Sequence, residues 1–148
     1  MPHELRPVSS PEDWKRLHAI RRAVLFAPDR HAVDYDENHP DDRAEGNIPF
    51  LLLLDGRAIG VVRIDFRGAT AVVRLVAIAE AEQRKGHGRT LDALVAAEAR
   101  RRGVSSLRVN AAPDAVGYYE KAGWLPASWD RSELVGIAKD CVQMTKAL

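Results

Sequence analysis

One cysteine, Cys141, is all that the 148 residues contain, which excludes an intramolecular disulfide. No apolar run approaches the roughly eighteen residues of a membrane span. An excess of either charge is missing too: 22 Lys and Arg against 21 Asp and Glu leave a formal net charge of +1. Such a balance sets up no global field toward nucleic acid or an anionic membrane, so any anion must be held locally. Repeats, low-complexity stretches and linkers are absent from the sequence, and the length suits one compact domain over residues 1–148. The opening Met-Pro-His-Glu-Leu-Arg lacks the apolar centre of a signal peptide, and the expectation is a soluble, cytoplasmic chain.

What is there reads as alternating strands and helices. His3 to Val8 suits a short edge strand. Ser9-Ser10-Pro11-Glu12-Asp13 then offers a capping serine, a proline at the first helical position and early acids. Trp14, Leu17, Ile20 and Val24 recur at near-helical spacing, so a helix with one buried stripe runs from there and ends before Pro28. Asp29 to Asn47 is polar and acidic with scattered histidines, a partly helical loop segment placed as a lid or substrate wall. Phe50 to Leu54, Asp55-Gly56 and Arg57 to Asp65 read as a hairpin, because Asp-Gly adopts the positive backbone angles of a tight turn.

Ala71 to Ala79, apolar except for Arg74, predicts a strand covered on both faces and therefore central. A helix from about Arg89 carries Leu91, Leu94, Val95 and Ala99 on one face and ends in Arg100-Arg101-Arg102 before Gly103. Ser105 to Ala111 is the next strand, parallel to the central one because a helix joins them. Asp114 to Ala122 predicts another helix. One or two closing strands finish the chain, with Cys141 a small core residue in the last.

The most informative stretch is Gln83-Arg84-Lys85-Gly86-His87-Gly88-Arg89, which joins the central strand to its helix. Two glycines one residue apart let the chain turn with exposed amides, and the helix start adds unpaired N–H groups and a positive dipole end. A P-loop would need Gly-Lys followed by Ser or Thr, but Arg89 follows the last glycine. A dinucleotide fingerprint would need a third glycine where Leu91 stands. A plain strand-to-helix turn is the competing reading. About thirty residues on comes Asp114-Ala-Val-Gly-Tyr-Tyr-Glu-Lys-Ala-Gly-Trp124, a short helix closed by glycine and bearing paired tyrosines. A cofactor phosphate site with a phenol nearby is the combined reading.

Gln83-x-x-Gly86-x-Gly88, preceded by Leu75-Val-Ala-Ile and followed by Tyr118-Tyr-Glu-Lys-Ala-Gly-Trp124, resembles the GNAT superfamily of N-acetyltransferases, best from about Val72 to Trp124. The resemblance implies an α/β (α+β) fold, a mixed sheet flanked by helices and splayed between its fourth and fifth strands, here Ala71 to Ala79 and Ser105 to Ala111. It implies acetyl-CoA as cosubstrate, without a metal, and a primary amine of a small molecule or peptide as acceptor. The main chain of Val76, Ala77 and Ile78 would pair with the pantetheine arm, and the Ile78 amide would polarise the thioester carbonyl. Amides of Arg84, Lys85, Gly86, His87, Gly88 and Arg89 would cradle the pyrophosphate. Asn110 would hydrogen-bond the pantetheine, and Tyr119 matches the tyrosine used as general acid near the thiol. A homodimer through terminal strands is common in the family and is open to this chain.

The chain also departs from the family pattern. Arg74 and Leu107 stand on the fourth and fifth strands where relatives place carboxylates. Glu80, Asp36, Glu37, Asp41, Asp42 and Glu45 remain as bases acting through water, against the reading of solvated loop charge. A non-catalytic acyl-CoA-binding regulatory module is the alternative these departures allow. His31, His39 and His87 match no compact metal-ligand spacing. Arg63 and Arg74, inside apolar strands, need partners in the acidic loop or face an anionic substrate group.

Overall fold

A computed structural model of the protein describes residues 2–27 and 34–148, so His31 and the rest of residues 28–33, where the acidic segment begins, lie outside the described residues. Seven strands form one sheet: β1 (His3–Pro7), β2 (Asn47–Leu54), β3 (Arg57–Arg67), β4 (Thr70–Ile78), β5 (Ser106–Ala111), β6 (Leu125–Pro126) and β7 (Val142–Ala147). Their spatial order is β1-β2-β3-β4-β5-β7-β6. Only β4 and β5 run parallel, joined by the helical crossover that a parallel pair requires. The sheet is therefore mixed, with β4 at its centre, as the apolar run predicts.

Among the described residues three α-helices flank it: α1 (Pro11–Val24), α2 (His87–Arg101) and α3 (Val116–Lys121). The Ser10 hydroxyl accepts from the Asp13 amide at 3.1 Å and Pro11 opens α1, which satisfies one of the orphan donors at the helix start. Leu17 and Ile20 of α1 pack on Leu51, Leu53, Val61 and Ala77 on one face of the sheet. On the other face Leu91, Val95 and Ala99 of α2 close over Phe50, Val62, Ile64, Val73 and Leu107, with Tyr119 and Trp124 in the same cluster. Asp55 and Gly56, at φ +50° and +83°, make the β2–β3 turn, the conformation that Asp-Gly favours.

Several boundaries differ from the sequence reading for local reasons. Strand β2 begins at Asn47 and contains Pro49. Proline is tolerated there because β1 ends at Pro7, opposite Phe50, and the Pro49 carbonyl still accepts from Val8. Helix α2 starts at His87, directly from the glycine turn. Before α3 the chain makes a single 3-10 turn at Pro113–Ala115. Cys141 lies one residue ahead of β7 and is only partly buried, so it is not a core residue of the last strand.

One irregularity matters most. The β4–β5 ladder pairs Thr70 with Ser106 through Val73 with Val109 and then stops. Leu75 sits at φ +54°, where the β3–β4 register also slips between Val61 and Arg63. A β-bulge with one left-handed residue bends its strand, and here β4 turns away from β5 just beyond Val73. The sheet opens into a V.

Candidate active site at the strand opening

Inside the V the second half of β4 has no strand neighbour toward β5. Gly60 of β3 faces Ile78, Val61 faces Ala77, and the Ala79 amide donates to Ile59. Antiparallel alternation therefore turns the peptide groups of Ile78 away from β3 and into the opening, and those of Ala77 toward β3. The Ile78 carbonyl is taken by Gln83 Nε2 at 2.9 Å, while its amide meets no acceptor among the described residues. Gly60 belongs to this geometry, since a Cβ there would come within 2.9 Å of Ile78 Cδ1 and 3.1 Å of the Ala77 carbonyl.

At the end of β4 the chain makes a one-turn helix, Glu80–Glu82, then passes through Arg84 at φ +64° and Gly86 at φ +86° into α2. Two left-handed residues two apart fold the amides to one side. The backbone N–H groups of Arg84, Lys85, Gly86, His87, Gly88 and Arg89 have no acceptor among the described residues; the first paired amide of the turn is Thr90, to the Gly86 carbonyl. Six consecutive free donors at the start of a fifteen-residue helix form an anion cradle with the helix dipole behind it. The side chains divide the work. Arg84, Lys85 and Arg89 are exposed, whereas the His87 ring turns aside to bond His3 at 3.0 Å, so His87 offers the cradle its amide.

The paired tyrosines have separate fates. The Tyr118 hydroxyl donates to the Gly88 carbonyl, tying α3 to the cradle, and burial pushes its ionisation up to about 12. Tyr119 is 7% exposed and packs edge-on against Trp124, ring centroids 5.4 Å apart. No such bond ties the Tyr119 hydroxyl to a described residue. Burial, with Tyr118, Asp92 and Cys141 adding to it, drives that phenol well above its ordinary range, so it is a protonated donor at any physiological pH.

The face of the sheet beyond α1 carries a chain of alternating charges. Arg21 donates to Asp42 at 2.8 Å, and Arg63 reaches Asp42 at 3.3 Å and Asp65 at 2.8 and 3.1 Å. Arg74 then donates to Asp65 at 2.7 Å and to both oxygens of Glu133 at 2.8 and 2.9 Å. Of the two expected partners for the strand arginines, Arg63 finds one in the acidic loop through Asp42, and Arg74 finds its partners on β3 and near residue 133. Asn110, at the far side of the V, donates to Glu133 at 3.0 Å and accepts from Gln143 at 2.9 Å. Trp129 Nε1 donates to the Val109 carbonyl where the β4–β5 ladder ends.

Among the proposed bases, burial pushes the Asp42 carboxyl up but Arg21 and Arg63 outweigh it and hold it below its usual range. Glu37 is paired with Arg22 at the surface, and Glu80 is exposed just past β4. Sequence reasoning missed Glu133, because its partners lie 59 and 23 residues away. It also missed Arg21, 1% exposed, whose place on the charged side of α1 reads as solvated. Among the described residues no group of three or more His, Cys, Asp or Glu is placed to hold a metal ion, and no helix is long and apolar enough to cross a membrane.

A family model described as an acetyltransferase (GNAT) domain matches residues 33–148. The chain belongs to the GNAT family. Solved structures agree with this GNAT domain in fold. The ribosomal-protein-S18-alanine N-acetyltransferase of Escherichia coli superposes with a TM-score of 0.74 at 19% identity, over 98% of this chain and 93% of that one. A spermidine N-acetyltransferase chimera from Vibrio cholerae gives 0.76 at 16%, over 99% and 96%. A Bacillus subtilis acetyltransferase in complex with CoA gives 0.71 at 16%, over 99% of each chain. No curated protein sequence matches the chain. At these identities the structures speak for the GNAT fold and leave the acceptor open.

Proposed function

We propose that the protein transfers an acetyl group from acetyl-CoA to a primary amine of a small molecule or peptide. Three features carry the reading: six amides at the α2 start and the Ile78 amide on the open edge of β4, none with an acceptor among the described residues, and a protonated Tyr119 hydroxyl with no bond to a described residue. A pyrophosphate suits the first. An extended amide-bearing arm suits the second, pairing with Val76 to Ile78 as a further strand would. The third suits a departing thiolate.

Acetyl-CoA supplies the activated acyl group as a thioester; the chain's own residues do the rest. Arg84 to Arg89 would hold the pyrophosphate by their amides, with the exposed Lys85 and Arg89 side chains adding charge. The Ile78 amide would stabilise the oxyanion that develops at the carbonyl. An ordinary thiol ionises near 8.5 and a phenol near 10, and burial of Tyr119 widens that gap. Tyr119 therefore acts chiefly by donating a hydrogen bond to developing charge on sulfur, and full proton transfer is the lesser part. Asn110 keeps one N–H and one Oδ1 lone pair beyond its bonds to Glu133 and Gln143, through which it would meet the arm.

Calorimetric titration with acetyl-CoA and desulfo-CoA, followed by a thiol-release screen across primary amines, tests the reading. Binding with amine-dependent thiol release supports it. Binding with no release for any amine favours a regulatory acyl-CoA-binding module, a reading that the pairing of Asp42 and Glu133 with arginines keeps in play. No binding of either ligand removes the cradle assignment.

A further inference from the structure

The acetyl-transfer reading leaves one carboxylate without a task at the point where β4 and β5 part. Glu133 ends the one-turn helix Arg131–Glu133 in the loop between β6 and β7. Buried Gln143 of β7 pins that loop: its Oε1 accepts from the amides of Trp129 and Asp130 at 2.8 and 2.9 Å, and its Nε2 donates to the Asp130 carbonyl at 2.6 Å. Glu133 reaches back across the splay, to Arg74 on β4 and Asn110 on β5. A carboxylate offers about four lone-pair positions. Arg74 takes one on each oxygen and Asn110 takes the second on Oε1, which leaves one on Oε2.

Exposure singles out the same group. The side chains of Asp42 and Asp65 in this charge chain are 4% exposed, against 25% for Glu133. The charged groups around it are Arg74 from β4 and Asp130 from its own loop, with Arg108 of β5 acting on Asp130. Arg74 holds the Glu133 carboxyl below its ordinary range, so it stays an anion at neutral pH. A carboxylate so stabilised is a weak base and a good cation anchor.

We propose that Glu133 is the acceptor-recognition residue, taking a charged amine on the open Oε2 position, with Arg74 as its positioning residue. The inference rests on the amine-acceptor reading and narrows it to a class: amines carrying a second, non-reacting ammonium, in preference to those with a carboxylate beside the nitrogen. Three of the four positions on the anchor are filled, so the remaining direction is set, and an ammonium placed there lies beside Arg74 and Asn110, the first residues past the last β4–β5 pair.

The test titrates 1,4-diaminobutane, with glycine as the control, into the desulfo-CoA complex of the full chain. Wild-type protein is expected to bind the diamine in preference to glycine. Glu133→Gln should weaken diamine binding about tenfold or more, the scale of a hydrogen bond to a charged group, with desulfo-CoA affinity unchanged, and Glu133→Asp should bind better than the Gln variant. Arg74→Lys removes the bidentate fork, lets the Glu133 carboxyl rise toward its ordinary value of about 4.3, and should make diamine binding about threefold weaker at pH 4 than at pH 7, with wild type losing less. Should Glu133→Gln unfold, the Arg74 Nε resonance of wild type must shift on adding the diamine. Wild type that ignores the diamine, a Gln variant that binds it equally well, or an unmoved Arg74 resonance overturns the proposal. A chain that fails to bind desulfo-CoA fails the acyl-CoA reading instead, and the diamine titration is then read on the free protein.

Discussion

Replacing Asp42 by asparagine should cost far more than a surface loop carboxylate would. Asp42 is 4% exposed and stands between Arg21 and Arg63. Among the described residues Arg21, 1% exposed, has no partner for Nε and Nη2, and besides Asp42 only the Tyr35 hydroxyl, 3.4 Å away, meets its guanidinium. Removing the carboxylate leaves a buried cation without a counter-ion, a change that costs about 3–5 kcal/mol. With a urea m-value of about 2 kcal/mol/M, the unfolding midpoint should fall by roughly 1.5–2.5 M. The double variant Arg21→Met with Asp42→Asn removes both charges and should recover much of the loss, because a buried pair exchanged for apolar volume is often close to neutral. The sign with pH follows from the same contacts. The folded-state carboxyl is held below its ordinary value, so its contribution is present above about pH 3.9 and is lost as pH falls through the lower folded value. Asp42→Asn should lack that part of the acid sensitivity. A midpoint within about 0.5 M of wild type would refute the reasoning, as would a double variant no better than the single one.

Other outcomes follow from the same geometry. Tyr119→Phe should lower the rate of acetyl transfer about 100-fold with acetyl-CoA affinity nearly unchanged, and an unaltered rate would remove the proposed role of the hydroxyl. Gly86→Ala meets no steric obstacle but forces a side chain to φ +86°; about 1–2 kcal/mol of strain should appear in thermal unfolding, together with weaker acetyl-CoA binding by calorimetry. Trp124, 1% exposed and bonded through Nε1 to Asp92, should lose about 3–5 kcal/mol as Ala, read by denaturant unfolding, and a loss under 1 kcal/mol would contradict its place in the core.

The features legible in the sequence are those whose causes are local. Ser10-Pro11, Asp55-Gly56 and the Gly86-x-Gly88 turn announce themselves because capping, positive φ and tight reversal each demand a particular residue at one position. The centrality of β4 is visible in its apolar run. The V itself is half visible: family resemblance implies it, but the bulge that produces it rests on Leu75 at φ +54°, and leucine carries no compositional signal for a left-handed residue. The polar side of the site was illegible for a different reason. Arg74, Asn110 and Glu133 meet only after β4, β5 and the late loop have folded, so the sequence shows that Arg74 needs a partner but not that Glu133 supplies it. Arg21 is hidden likewise, its partner arriving from the segment that reads least clearly.

Acetyl-CoA-dependent release of thiol in the presence of a panel of primary amines, with the wild-type and Tyr119→Phe proteins side by side, is the most direct test of acetyl transfer by this protein. Release should depend on both acetyl-CoA and an amine, with acetylated amine as product and a large loss of rate in the phenylalanine variant. Binding of acetyl-CoA with no amine in the panel provoking release, or release indifferent to Tyr119, would contradict it.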